Sequence, residues 1–219
     1  ELQKTAEIAK TYIKDICDYD LEITYGFPAP GDIFLTLDDS IAHLGEEGYI
    51  LDINDYVSIS SSNKKGVFYG AITILQILKQ DEAHINIPKG ITRDYPKYEV
   101  RGLMLDVGRK FYTIDFLRDY VKLLAWYKMN VFHIHLNDFP GGFRLESETY
   151  PGLAADQYYT KQEFRDLVYL GMDYGVNIIP EIDTPGHSKA FTDYDPSLGS
   201  GSYLDVSKPE TLEFVKKLF

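Results

Sequence analysis

The sequence predicts a small α+β domain followed by a region of parallel α/β structure. In residues 1–95, strand-like runs are grouped together and helical stretches lie beside them. From about Tyr95-Pro96 onward, apolar strands alternate with helices in the order βαβαβα. We therefore expect one domain over residues 1–95 and the start of a second over residues 96–219.

The elements of the first domain follow from spacing and turn chemistry. An apolar stripe at helical spacing, from Leu2 to Ile16, predicts the opening helix, and the Pro- and Gly-rich segment Tyr25–Asp32 predicts turns. The remaining predicted elements are strands at Ile33–Leu37, Tyr49–Ile53, Tyr56–Ile59 and Ile85–Ile87, and a strongly apolar helix at Val67–Leu78.

Three strand–helix units are predicted after residue 95. The strands are Val100–Val107, Val131–Leu136 and Val176–Ile182. Thr113 can cap a helix that runs to about Met129, and the pairs Thr160/Glu163 and Ser207/Glu210 have the spacing of a capping box. Because the strands are continuously apolar, they are expected to be parallel and covered by helices.

The number of units leaves two architectures open. A closed (β/α)₈ barrel has eight strand–helix units in about 250 residues. The region is therefore either a small open α/β sheet or a truncated barrel. The long segments Asn137–Tyr159 and Asp183–Ser207 follow strand ends, where barrel enzymes carry their chemistry, and this favours the barrel.

Composition excludes several classes of function. The net charge of −12 argues against binding to nucleic acid or to anionic membranes. The single cysteine, Cys17, excludes an intrachain disulfide and a cysteine-ligated zinc site. No apolar run is long enough to span a membrane, and no signal-peptide pattern is present in this sequence. The 18 tyrosines and 12 phenylalanines suit carbohydrate binding, although most of them are expected to lie in the core.

Charged residues gather at the predicted strand ends in three clusters. They are Arg101–Tyr112, His133–Arg144 and Pro180–Ser188. Asp138 and His187 come from neighbouring strand–loop connections, so a carboxylate–imidazole contact is geometrically plausible. Spacing alone leaves open whether these charges form a sugar site or structural ion pairs inside a barrel.

The pair His133/His135 also has two interpretations. Residues two apart on a strand face the same way, so the pair could bind a divalent metal together with Asp138 or Asp183. The alternative is two histidines whose hydrogen bonds are satisfied within a polar barrel interior. The second interpretation is favoured because this spacing is a motif of low specificity. We expect neither a metal nor another cofactor.

Three motifs in order resemble family-20 glycoside hydrolases, the β-N-acetylhexosaminidase family. They are Arg-Gly-x-x-Leu-Asp-x-x-Arg at Arg101–Arg109, Asn-Val-Phe-His-x-His-Leu-x-Asp at Asn130–Asp138, and Pro-Glu-Ile-Asp-x-Pro-Gly-His at Pro180–His187. Leu44–Leu51 and Gly66–Gln76 resemble the small domain that precedes the barrel in this family. The resemblance implies an α+β accessory domain followed by the first three strand–helix units of a TIM (β/α)₈ barrel.

The resemblance also implies a retaining, substrate-assisted mechanism, in which the 2-acetamido oxygen of the substrate attacks the anomeric carbon. In the family an Asp-Glu pair after the fourth barrel strand orients the acetamido group and supplies the general acid/base. No such motif is present, since the only Asp-Glu dipeptide, Asp81-Glu82, lies in the first domain. The full-length protein is expected to be the glycosidase, with this chain inactive alone and the rest of the barrel in the same or another chain.

Residue roles are carried over from the motifs. By match, Arg101 holds sugar hydroxyls, Asp138 and His187 form a relay that supports the missing Glu, and His135 and Asp183 bind substrate or support the pocket. The implied substrates are glycans with terminal β-linked N-acetylhexosamine, and the implied location is secreted or on the cell surface of a bacterium.

Departures from the family pattern leave the specificity open. Lys110, Phe139 and Phe143 replace residues common in the family beside the sugar pocket. They keep open N-acetylglucosaminides, N-acetylgalactosaminides or a lacto-N-biosidase-type substrate. A non-catalytic carbohydrate-binding module that uses Arg101 and the aromatic residues is the alternative function. A sheet with open edges and an uncovered face also predicts poor stability for the chain alone.

Overall fold

The computed structural model describes residues 1–218, which form two compact units that meet in sequence between Glu99 and Val100. The first unit contains all of the predicted accessory domain, and the second contains the three charged clusters. Within these residues, no helix combines the length and the apolar character needed to cross a bilayer.

The first unit is a four-stranded sheet with two long helices. Its elements are α1 (Gln3–Cys17), β1 (Ile33–Leu37), β2 (Tyr49–Ile53), β3 (Val57–Ser61), α2 (Lys64–Gln80) and β4 (Gly90–Asp94). The strand order is β1-β3-β2-β4, with β1 parallel to β3 and the other pairs antiparallel. Side chains of β2 and β3 alternate between buried and half-buried, so one face of these two predicted strands is covered.

Helix α2 lies against this sheet at close range. A Cβ on Gly70 would come within 2.3 Å of Ile59 Cγ2, so glycine is required where the helix meets β3.

The buried Tyr49 hydroxyl donates to Asp94 at 2.7 Å and so links β2 to β4.

One predicted strand of the first unit is wrong. The structure has no strand at Ile85–Ile87, because the carboxylate of Asp81 accepts hydrogen bonds from the backbone N–H groups of Ile85 and Asn86 and holds the segment as a turn after α2. The strand that completes the sheet is β4, whose residues are all exposed and show no apolar alternation.

The second unit contains three small sheets. Its elements are β5 (Gly102–Asp106), α3 (Ile114–Trp126), β6 (Val131–His135), β7 (Asn137–Asp138), β8 (Gly142–Leu145), β9 (Ala154–Tyr159), α4 (Lys161–Asp173), β10 (Asn177–Glu181), α5 (Lys189–Tyr194), β11 (Gly199–Ser200), β12 (Tyr203–Leu204) and α6 (Pro209–Leu218). The sheets are β10-β6-β5, which is parallel, β7-β8-β9, and the two-stranded β11-β12.

Helix starts in this unit follow the predicted caps in two cases of three. Thr113 caps α3, and Thr160 with Glu163 forms the predicted capping box of α4. Gly175 adopts a left-handed backbone with φ 68° and follows the end of α4. At α6 the predicted box is absent, because the Ser207 hydroxyl donates to Asp205 at 2.6 Å instead.

The predicted loop Asn137–Tyr159 contains β7, β8 and β9 and is held by a buried arginine. Arg144 is 7% exposed; its Nε donates to Val107 O at 3.1 Å, and its Nη1 donates to Gln157 O at 2.9 Å. The guanidinium also lies 5.7 Å from the ring centroid of Phe111. A single side chain therefore joins the loop after β5 to β9.

Candidate active site

The register of the parallel sheet brings three ionisable side chains into one row. Asp106 pairs with His135, and His135 pairs with Glu181, so the last residues of β5, β6 and β10 are neighbours. His135 Nδ1 lies 3.1 Å from Glu181 Oε1, and His133 Nε2 lies 2.6 Å from Glu181 Oε2. The carboxyl ends of parallel strands are where α/β proteins place their ligand sites.

Asp138 is the centre of the cluster. Its carboxylate is 5% exposed, and Oδ2 lies 2.6 Å from His187 Nδ1, 2.8 Å from Arg109 Nη2 and 3.0 Å from His135 Nε2. The other oxygen, Oδ1, accepts the Phe139 backbone N–H at 2.7 Å. Burial alone would raise the pKa of Asp138, but these hydrogen bonds outweigh burial and hold the pKa below its ordinary value.

The contact with Asp138 defines the tautomer of His187. A carboxylate only accepts hydrogen bonds, so we assign the proton to Nδ1 of His187, which leaves Nε2 for a further partner. His187 is half-exposed and has a left-handed backbone with φ 52°. The structure thus brings together Asp138 and His187, as predicted from neighbouring strand–loop connections.

His135 and Asp183 belong to the same cluster in different ways. His135 is 6% exposed, and both ring nitrogens face carboxylate oxygens, so its ring supports other residues. Asp183 is positioned through its backbone: its N–H donates to Asn137 Oδ1 at 2.8 Å, and its carbonyl accepts from Asn137 Nδ2 at 3.0 Å. The same Nδ2 donates to His187 O, so the buried Asn137 fixes the whole loop after β10.

Arg101 is not brought together with the other predicted residues. It precedes β5, and its Nε donates to Lys128 O at 2.8 Å while its backbone N–H donates to Asn130 Oδ1. This is the end of β5 opposite to Asp106, at the amino side of the sheet. The geometry therefore does not support the sugar-holding role expected of Arg101.

Arg109, unlike Arg101, lies within the cluster. It follows the carboxyl end of β5, its guanidinium donates to Asp106 and Asp138, and its side chain is 50% exposed. Arg109 could have been singled out from the sequence because it follows a predicted strand, and ligand sites of parallel sheets lie at the carboxyl ends of strands. The sequence alone predicted no role for four residues of this cluster, which are Asp106, Arg109, Asn137 and Glu181.

The two groups that could hold a metal ion both contain His135, which is already paired with carboxylates of the cluster. One is His135, Asp138 and His187, and the other is His135, Glu181 and Asp183, with ligand atoms within 4.8 Å of one another. The Arg109 guanidinium lies on the same Asp138 oxygen that a cation would need, and Glu181 bridges His133 and His135. These contacts favour satisfied histidines over a metal centre, and we propose no metal site in this cluster.

The cluster predicts a pH-dependent stability. Burial lowers the pKa of His135, but hydrogen bonds to Asp138 and Glu181 outweigh burial and raise it above the ordinary value. The resulting stabilisation is complete below the unfolded pKa, about 6.5, and is lost as pH rises through the folded pKa. Asp138 has the opposite sign, because its stabilisation is present above about pH 4 and is lost in acid as pH falls through its lowered folded pKa.

We therefore expect urea denaturation to show a falling free energy of unfolding above about pH 6.5, by about 1.4 kcal/mol for each unit by which the His135 pKa is raised. His135→Gln removes the titrating group and should flatten this part of the profile relative to wild type. Identical slopes for the two proteins above that pH would contradict the assignment.

Two family models match the chain. The model described as "Glycosyl hydrolase family 20, catalytic domain" matches residues 98–219, and "Glycosyl hydrolase family 20, domain 2" matches residues 1–95. Between them they include all of the cluster residues and both structural units.

Curated relatives agree with the family models. A β-hexosaminidase of Porphyromonas gingivalis is 30% identical over 87% of this chain, which corresponds to 27% of that protein. A lacto-N-biosidase of Bifidobacterium bifidum is 29% identical over 99% of this chain and 20% of its own length.

Solved structures show the same fold. A chitobiase of Flavobacterium johnsoniae superposes with a TM-score of 0.85 at 31% identity, covering 98% of this chain and 36% of that one. A β-N-acetylhexosaminidase of Streptomyces coelicolor also has a TM-score of 0.85, at 29% identity and 50% of its length. The chain spans half or less of each of these proteins and corresponds to an accessory domain with part of a catalytic domain, and it belongs to glycosyl hydrolase family 20.

Proposed function

We propose that this chain is the accessory domain and the first part of the catalytic barrel of a β-N-acetylhexosaminidase. The full-length protein would hydrolyse terminal β-linked N-acetylhexosamine from glycans by a retaining, substrate-assisted mechanism. The observation that carries the proposal is the Arg109–Asp138–His187 cluster at the carboxyl edge of the parallel sheet, in a chain of this family.

The cluster suits the support of a general acid. Asp138 holds the His187 imidazole by its Nδ1–H, so Nε2 can accept a hydrogen bond from a protonated carboxyl group. An accepted hydrogen bond keeps that acid protonated until it donates to the leaving glycosidic oxygen. The acid itself, and the Asp that orients the acetamido group, would come from a later barrel strand, since no Asp-Glu pair follows a strand in residues 96–219.

We assign sugar binding in this half of the site to Arg109. Its guanidinium is held by two carboxylates, from Asp106 and Asp138, and remains half-exposed. A planar donor fixed on one side can donate its other N–H groups to adjacent hydroxyls of a pyranose ring. His135 and Asp183 would contribute by supporting Asp138 and the loop after β10, respectively.

Exposed apolar side chains on the parallel strands support the partial barrel. Leu103 and Met104 of β5 and Ile179 of β10 are 44%, 56% and 41% exposed, respectively, and Val100, just before β5, is 72% exposed. Apolar residues on a parallel strand are normally covered on both faces. We propose that residues 96–219 are the first three strand–helix units of a (β/α)₈ barrel and that further strands, in the same or another chain, cover these residues.

The finer substrate and the location are proposed from the relatives. The lacto-N-biosidase of B. bifidum supports a disaccharide-releasing specificity as the second candidate substrate class. From the family resemblance we also propose a secreted or cell-surface location in a bacterium. A non-catalytic sugar-binding module remains the alternative if the longer protein proves inactive.

The proposal is tested by comparing this chain with the longer protein on a chromogenic β-N-acetylglucosaminide. We expect no turnover by residues 1–219, and turnover by the full-length protein that fails on the matching β-glucoside, which lacks the acetamido group. Equal rates on the two substrates by the full-length protein would contradict substrate assistance, and turnover by this chain would contradict the placement of the acid outside it.

A further inference from the structure

His135 is enclosed by acceptors on both ring nitrogens. Nε2 lies 3.0 Å from Asp138 Oδ2, and Nδ1 lies 3.1 Å from Glu181 Oε1. An ionised carboxylate has only lone pairs to offer, whereas a neutral imidazole has one donor and one acceptor nitrogen. A hydrogen bond to Asp138 and a 3.1 Å ion pair with Glu181 are both favourable when both nitrogens carry protons, which makes the ring a cation.

We propose that Glu181 is a positioning residue, which with Asp138 holds His135 as an imidazolium at neutral pH and leaves the Nε2 atom of His187 to exchange a hydrogen bond with the catalytic acid. The part of this statement that concerns catalysis rests on the function proposed above. The protonation of His135 does not, because it follows from contacts within this chain.

The local charges agree with a cationic His135. Asp106 of β5 and Glu181 of β10 are the neighbours of His135 across the sheet. Asp138 of β7 is hydrogen-bonded to its ring, and a carboxylate oxygen of Asp183 lies within 4.8 Å of a ring nitrogen. Against these four carboxylates, Arg109 is the fixed cation of the cluster. A second positive charge on a buried ring reduces the repulsion among the four carboxylates.

His133 does not compete for the same acceptor. It approaches Glu181 Oε2 at 2.6 Å, whereas His135 faces Oε1. The two oxygens of Glu181 can therefore face both rings at once. The partly exposed His133 and the buried His135 are thus joined through one bridging group.

The charged His135 ring and His187 contact the same oxygen of Asp138. Asp138 Oδ2 receives hydrogen bonds from Arg109 and His135, both charged, in addition to His187. His187 shares this oxygen with the two cations through Nδ1 alone. Its Nε2 then stays available to accept a hydrogen bond from the catalytic acid.

The test is nitrogen NMR of the imidazole rings in the 219-residue chain. We expect both ring nitrogens of His135 to carry protons at neutral pH, so that both of its nitrogen shifts have the values of a protonated imidazole. Glu181→Gln keeps the shape but removes the charge, and should lower the His135 pKa by about one to three units. Assignment comes from single histidine substitutions.

Glu213→Gln is the matched control, since Glu213 lies on α6 and pairs with Lys216. It removes one negative charge away from the cluster and should leave the His135 titration unchanged. A His135 pKa that falls equally in both variants, or not at all in Glu181→Gln, would overturn the proposal. If Glu181→Gln fails to fold, the nitrogen shifts of the wild-type protein still test the proposal. An unprotonated His135 nitrogen at neutral pH would refute it.

The two proposals fail separately. An inactive full-length protein would count against the glycosidase, yet the nitrogen shifts of His135 would still report its charge. A neutral His135 in an active enzyme would remove the positioning role of Glu181 and leave the glycosidase standing.

Discussion

Replacing Asp138 with alanine is expected to lower the free energy of unfolding by about 3 to 5 kcal/mol, the cost of removing one partner of a buried ion pair. The carboxylate is 5% exposed and accepts from three side chains. Without it, His135 and Arg109 lose the group that compensates their charge. Urea denaturation followed by the fluorescence of Trp126, the single tryptophan, reports on the second unit.

Asp119→Ala is the control for this measurement. Asp119 forms a surface pair with Lys122 on α3 and its carboxylate is 76% exposed, so its removal should cost less than about 1 kcal/mol. If the two substitutions destabilise the chain to the same small extent, Asp138 does not stabilise the second unit through its ion pairs with Arg109 and His135.

The second large effect is expected for Arg144→Ala, which should destabilise the second unit by about 3 kcal/mol or more. The substitution leaves the carbonyls of Val107 and Gln157 without their charged donor, at about 1 to 3 kcal/mol each, and removes the packing of the guanidinium on Phe111. Amide hydrogen exchange should show faster exchange across β7, β8 and β9.

Arg165→Ala provides the comparison, because Arg165 is an exposed arginine of α4. It should leave both the unfolding free energy and the exchange of β7–β9 close to wild type. Equal protection of this segment in the two variants would show that Arg144 does not hold it.

The secondary-structure predictions are correct for elements whose pattern of apolar side chains matches their burial in the structure. Strands β1, β2 and β3 alternate or are apolar, and the Thr160 capping box has a local mechanism that tertiary contacts do not override. Strand β4 was missed because it is exposed along its whole length, and its pairing with β2 is a non-local property. The short strands β7–β9 were missed because Pro and Gly interrupt that segment at residues 140–142 and 151–152.

The site was predictable to the extent that it follows from strand ends. Asp138 and His187 meet because they follow neighbouring parallel strands, which the order of elements already implied. Arg101 and Arg109 flank the same strand, and choosing between them requires the strand direction relative to the cluster. The role of Glu181 depends on register, which sets it opposite His135 and which periodicity alone does not determine.

The hairpin tip between β7 and β8 contains one position that tolerates substitution, Phe139, and one that does not, Gly141. A Cβ on Gly141 would lie 1.7 Å from Gly108 O, so this residue is confined by the backbone of the loop that carries Arg109. Phe139, two residues earlier, is 56% exposed and adjoins Asp138. Sequence change at this hairpin is therefore expected to concentrate at position 139, beside Asp138, while the glycine at position 141 is retained.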